Sequence, residues 1–191
     1  KNMAGQTPLG PSSRGRDPMN FVKPKEMIED EIMEMVQAFG AAAQRAVEAG
    51  ADGVQIHGAH GYLVSEFLSP FFNVRTDSWG GSEKNRFRFL KEVLEVVKTK
   101  VPEGFPILVK LNTNDYTPNQ GITPTLAAKY AGWLAELGIN GVEVSCGTGN
   151  YSYMNMSRGE VPTDEFLKAA PWWQKPIGRI MLTKLEGKYD L

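Results

Sequence analysis

Apolar positions along this chain follow two rhythms. Over residues 25–49, Ile32, Val36, Phe39, Ala43, Ala46 and Val47 recur at helical spacing, which predicts a helix with one apolar stripe. Glu29, Asp30 and Glu31 stand in its first turns, where the positive end of the helix dipole favours acids, and Gly50 is a natural stop. Residues 52–57 follow as a short β-branched run that reads as a buried strand, and 61–68 as a short helical piece. A loop with Asn73, Asp77, Gly80 and Gly81 leads to a second long helix over 84–100, whose apolar face is Phe87, Leu90, Leu94, Val97 and Val101. Residues 106–111 form the next strand. Thr123 then caps a helix with Pro124 at its first position, running to Leu137 and closed by Gly138, and residues 141–145 form a third strand.

The order is α-β-α-β-α-β, with helices long enough for right-handed crossovers between parallel strands. This predicts an α/β fold with a parallel sheet, its strands apolar throughout because helices cover both faces. Either a (β/α)8 barrel or an open doubly wound sheet fits the pattern. A complete barrel takes about 250 residues, so three strands are too few to close one. The flanks are different. Residues 1–24 are rich in Gly, Pro, Ser and Asn and read as loop. Residues 150–191 read as an irregular tail with a short helix near 163–170 and two packing tryptophans, Trp172 and Trp173. The expectation is a single domain with its β/α core over 25–149.

Composition narrows the function class. The 191 residues are 41% hydrophobic and 23% charged with a net charge of −1, which argues for a globular domain and against nucleic acid or an anionic membrane surface as a partner. No apolar run has the length of a membrane span. The single cysteine, Cys146, rules out an internal disulfide, and a reducing, cytoplasmic setting is the default. The chain opens on Lys1, which suggests a piece or a processed form of something longer.

The chemistry-bearing residues cluster. Both histidines, His57 and His60, lie at the C-terminal end of a predicted strand with Tyr62 beside them, and parallel α/β folds build their sites at that end. Imidazole N–H groups can hold a carbonyl oxygen and a tyrosine hydroxyl can pass a proton. The same pair can also be core histidines satisfied by backbone, or two ligands of a zinc ion in a metal-dependent barrel hydrolase, although there is no third histidine. Lys110 interrupts an apolar strand. It either snorkels to solvent or holds an anionic cofactor group at the same end of the sheet. Cys146-Gly147-Thr148-Gly149 has a weak likeness to a phosphate-cradling turn.

Longer motifs carry a resemblance. The stretch from Asp52 to Tyr62, reading Asp-Gly-Val-Gln-Ile-His-Gly-Ala-His-Gly-Tyr, is followed by Glu66-Phe-Leu-Ser-Pro70, Asn73-Val-Arg-Thr-Asp77 and Gly80-Gly-Ser-Glu-Lys-Asn-Arg86. Together these resemble the old yellow enzyme family, the NADH:flavin oxidoreductases and NADH oxidases built on FMN-binding TIM barrels. Val109-Lys-Leu-Asn112 and Val142-Glu-Val-Ser-Cys-Gly147 are weaker matches to the family's next two strands, and the likeness covers about residues 25–150. It implies that these strands are the fourth, fifth and sixth of eight, so that the chain is a central piece of the barrel. It further implies FMN as cofactor, NAD(P)H as reductant and a small-molecule substrate whose activated alkene or other acceptor takes hydride from the reduced flavin. His57 and His60 would hold the substrate oxygen, Tyr62 would donate a proton, and Lys110, where many members have arginine, would face flavin N1 and the C2 carbonyl. Arg75, Asp77, Asn85 and Arg86 would fix the loop after the first of these strands. The strands the resemblance leaves out come from the remainder of a longer chain, or a non-catalytic incomplete barrel covers its edges with another copy of itself.

Overall fold

The computed structural model describes residues 5–14, 22–152, 167–168, 172 and 175–176. The chain divides into two compact units, Lys1–Met156 and Ser157–Leu191, and the elements below belong to the first. It begins with two short strands, β1 (Leu9–Gly10) and β2 (Lys25–Glu26), paired in parallel. The segment before residue 25 is therefore not all loop, and helix α1 (Glu29–Glu48) starts later than its apolar period suggests. The cause is backbone commitment: Lys25 N and Met27 N donate to Pro8 O and Gly10 O at 2.9 and 3.0 Å, which holds 25–27 extended. The helix then opens at Ile28, whose N–H is taken up by the Glu31 carboxylate at 2.9 Å. Gly50, at φ +82°, supplies the left-handed turn that ends it.

Strand β3 (Val54–Gly58), helix α2 (Leu63–Leu68), helix α3 (Glu83–Lys100), strand β4 (Ile107–Asn112), helix α4 (Pro124–Glu136) and strand β5 (Gly141–Ser145) follow in order. Thr123 caps α4 as its position predicts, its hydroxyl accepting from Leu126 N at 3.3 Å. The three long strands form one parallel sheet in the order β3-β4-β5, which is the expected α/β arrangement left open. Among the described residues β3 and β5 each pair along one edge only.

Strand register separates the two faces of this sheet. Ile56, Val109 and Val142 stand in one row, and Ile56 and Val109 are buried with the helices. Phe67 of α2 and Phe89 of α3 stack there at 4.2 Å, both without solvent exposure, and Leu90, Val93, Leu94 and Val97 fill the rest of the α3 face. Each such side chain stabilises the fold by about 1.5–3 kcal/mol on burial. At the end of β3, a side chain on Gly58 would meet the Lys110 carbonyl at 2.9 Å, so the strands close up there only because that position has none.

The opposite face corrects the expectation of strands buried on both sides. The row His57, Lys110, Glu143 lies across it, joined by Gln55 one step before and by Asn112 and Ser145 one step after. The strands alternate between apolar and polar residues with a period of two, as strands with one helix-covered face do. Trp172 is 82% exposed and does not pack as expected, while Trp173 and most of the short helix expected near 163–170 lie outside the described residues.

Candidate active site

The polar row is tied together at its C-terminal end. Lys110 Nζ lies 2.9 Å from Glu143 Oε1, with the lysine side chain largely buried and the glutamate half exposed. Lysine here therefore neither snorkels alone nor stands unpaired. An ammonium has three N–H donors, so one carboxylate leaves others available. The Glu143 carboxyl is held below the usual carboxylate range by hydrogen bonds from Lys110 and then Gln55.

Beyond the strand, the His57 and His60 rings meet edge to face with centroids 5.1 Å apart, and the Tyr62 ring lies 4.9 Å from His57. The three residues singled out on the sequence do come together. Tyr62 is 62% exposed and stands just before α2, its carbonyl accepting from Glu66 N at 2.8 Å, so the helix anchors its backbone while the ring faces outward. Both imidazoles are held below the ordinary histidine range. For His57 the cause is desolvation, then the Lys110 cation, with Glu143 opposing. For His60 it is desolvation, then His57 and Lys110, again with Glu143 opposing. Neutral rings each carry one N–H donor and one acceptor nitrogen, which suits them to hold an oxygen rather than to repel or attract as ions.

His60 is conformationally unusual. Its φ of 64° is left-handed, a state that costs a non-glycine residue about 1–2 kcal/mol. Three contacts hold it there. Its N–H donates to Asn112 Oδ1 at 3.3 Å, its carbonyl accepts from Gly149 N at 3.0 Å, and its Nε2 lies 2.6 Å from Ser145 Oγ. Asn112 is itself held. Its amide donates to Gly147 O at 2.7 Å and to Asp115 Oδ1 at 2.9 Å. Asp115 is fully buried, and its other oxygen accepts from Ser69 Oγ and Ile122 N at 2.6 and 2.8 Å. Burial raises the Asp115 carboxyl above its ordinary range, while these hydrogen bonds pull it back. Sequence reasoning passed over Asn112, Asp115, Glu143 and Ser145. The signal that would have found three of them is the repeated pair of polar residues two apart, Lys110/Asn112 and Glu143/Ser145, matching Gln55/His57.

Two other candidates resolve as structure. The turn 146–149 offers no phosphate cradle: Gly147 N, Thr148 N and Gly149 N donate to Asn114 O, Ser152 Oγ and His60 O. Arg75 donates to Asp77 and to the carbonyls of Pro11 and Met27, Asn85 to Asp77 O and Arg86 to Gly81 O, so this cluster clasps the N-terminal segment and its own loop. Among the described residues no three His, Cys, Asp or Glu side chains are grouped to hold a metal ion, and no helix is long and apolar enough to cross a membrane.

Parallel β/α units with a polar cluster at the C-terminal strand ends are the arrangement of an α/β protein that builds its site there. The sequence profile of the NADH:flavin oxidoreductase / NADH oxidase family matches residues 4–164, and the chain belongs to that family. It is 44% identical over 162 residues to an NADPH dehydrogenase of Clostridium acetobutylicum, a match covering 84% of this chain and 47% of the relative. The chain thus spans about half the length of that protein. In structure it is similar to the old yellow enzyme homologue of Zymomonas mobilis, with a TM-score of 0.68 at 27% identity over 88% of this chain and 50% of the other. It is also similar to a 2-naphthoyl-CoA reductase in complex with 2-naphthoyl-CoA, with a TM-score of 0.71 at 28% identity over 93% of this chain and 26% of the other. The strands seen here are therefore part of a TIM barrel of the old yellow enzyme kind, with the sheet unclosed.

Proposed function

We propose that this chain carries the substrate-polarising half of an FMN-dependent NAD(P)H oxidoreductase, acting on a small molecule with an activated alkene. The observation that carries the reading is the convergence of two imidazoles, a tyrosine and a paired ammonium on the polar face of a sheet whose other face packs against helices along β3 and β4. The donor set fits the cofactor. Lys110 would supply a cation to offset the negative charge that the flavin gains on reduction, and its pairing with Glu143 leaves ammonium N–H donors for that role. Lysine gives a point charge rather than arginine's planar fork, and the ion pair with Glu143 would aim it. When bound, FMN would supply the redox chemistry, taking hydride from NAD(P)H and passing it to the β-carbon of the alkene.

The residues of the chain do the rest. His57 and His60 hold the substrate's carbonyl oxygen and stabilise the enolate charge that develops on it, an effect worth several kcal/mol where the donors are preorganised. Tyr62, whose ring lies 4.9 Å from that of His57, gives the proton to the α-carbon. A family setting of this kind goes with a cytoplasmic location and with no nucleic-acid or membrane partner.

The test is a titration of the protein with FMN, followed by flavin fluorescence, and then the two half-reactions on the loaded protein. Binding that weakens in K110M, and a Y62F variant that slows alkene reduction while sparing flavin reduction by NAD(P)H, are the expected results. No FMN binding, or equal loss in both half-reactions, defeats the reading. A second reading rests on β3 and β5 each pairing along one edge only among the described residues, with Val144 of β5 69% exposed: the sheet is completed by other barrel strands or by a second copy. A concentration-dependent dimer in light scattering supports the copy, and a monomer at all concentrations removes it.

A further inference from the structure

The hydroxyl of Ser145 lies 2.6 Å from His60 Nε2, at the end of β5 and 85 residues away in sequence. The contact is not an incidental touch of two mobile side chains. The His60 backbone is fixed on one side by Asn112 Oδ1 and on the other by Gly149 N, in a left-handed conformation, and its ring reaches Ser145 from there. Ser145 is fixed as well, its carbonyl accepting from Thr113 N and Thr113 Oγ1 at 2.8 and 3.0 Å. Among the described residues Nδ1 of His60 has no hydrogen-bond partner.

A neutral imidazole has a single N–H, and the partner of one nitrogen decides where it sits. We propose that Ser145 is a positioning residue that donates its hydroxyl to His60 Nε2 and so holds the ring in its Nδ1–H form, presenting that N–H to the substrate oxygen. Its use in catalysis rests on the oxidoreductase reading given above, but the tautomer itself does not. If the hydrogen bond ran the other way, Nε2–H would be spent on Ser145 and Nδ1 would face the substrate as an acceptor, which repels a carbonyl oxygen. The groups acting on His60 are His57, Lys110 and Glu143, with Tyr62 against His57; His57 and Lys110 favour the uncharged state on which the assignment depends, and Glu143 opposes it. Serine at this position thus turns a histidine from an ambivalent group into a donor of fixed direction.

Imidazole nitrogen NMR on the histidine-labelled protein tests this directly. Two histidines make the spectrum simple, and H57N assigns it. Above the titration range His60 is expected to show a protonated Nδ1 and a bare Nε2, shifting toward Nε2–H in S145A and returning in S145T, with His57 unchanged. A wild-type Nε2–H form, or a tautomer indifferent to S145A, overturns the assignment. In the FMN-loaded protein S145A is expected to weaken binding of a phenolic ligand several-fold while leaving reduction by NAD(P)H intact. Loss of FMN binding with the tautomer as assigned defeats the oxidoreductase reading alone, whereas FMN and phenol binding with the wrong tautomer defeats only the role of Ser145.

Discussion

The two faces of the sheet are made from alternate residues of the same three strands, yet they do different work. Ile56, Ile107, Val109 and Leu111 are buried beneath α1, α3 and α4 and contribute to the fold. His57, Lys110, Glu143 and Ser145 lie on the other side, tied by an ion pair and a histidine–serine contact, and little apolar burial depends on them. Apolar burial is concentrated on one face and the titratable groups on the other. Substitutions should therefore separate the two properties.

The largest effect belongs to the apolar face. Removing the Phe89 ring, which stacks on Phe67 and is fully buried, should cost about 3–5 kcal/mol in chemical denaturation, enough to threaten folding. A loss below about 1 kcal/mol would mean that the helices and not the sheet-facing rings carry the core. Next comes the link between the faces. In D115N an amide must replace a carboxylate that accepts from Ser69, Asn112 and Ile122 at once, leaving at least one buried donor unsatisfied at about 1–3 kcal/mol. Amide exchange at His60 should rise with it, because Asn112 relays the contact; exchange unchanged at His60 would break that relay.

The polar face should respond to pH. Both histidines have folded-state values below their unfolded one, about 6.5, so their stabilisation is complete above that pH. As pH falls below it the unfolded chain takes up protons first and stability declines toward the folded values. Titration midpoints at or above the unfolded value would contradict the desolvation and the Lys110 influence together. The smallest effects discriminate the charges. E143Q should lower both midpoints further and K110M should raise them, each modestly because Glu143 is open to solvent. Shifts of one sign in both variants would show that the row is not coupled.

Much of this was legible in the sequence. Helical and strand periods placed every long element to within a few residues, and the two histidines with Tyr62, close in sequence at a strand end, pointed to the cluster that the structure brings together. What escaped depends on register. Glu143 and Ser145 gain meaning only when β5 aligns with β4 so that they meet Lys110 and His60, and nothing local announces that alignment. Asp115 sits in a stretch that reads as loop, and its burial is a consequence of four segments converging on it. The early end of the N-terminal loop was hidden because β1 and β2 are two residues each, too short for any period to show.

The separation of fold from chemistry is tested most directly by the double variant H57A/H60A. Its urea unfolding should match the wild type to within about 1 kcal/mol, since neither ring belongs to the apolar core. The FMN-loaded variant, titrated with a phenolic aldehyde and followed by flavin absorbance, should bind at least ten-fold more weakly than the wild type. Undiminished ligand binding, or a collapse of stability, would contradict the account.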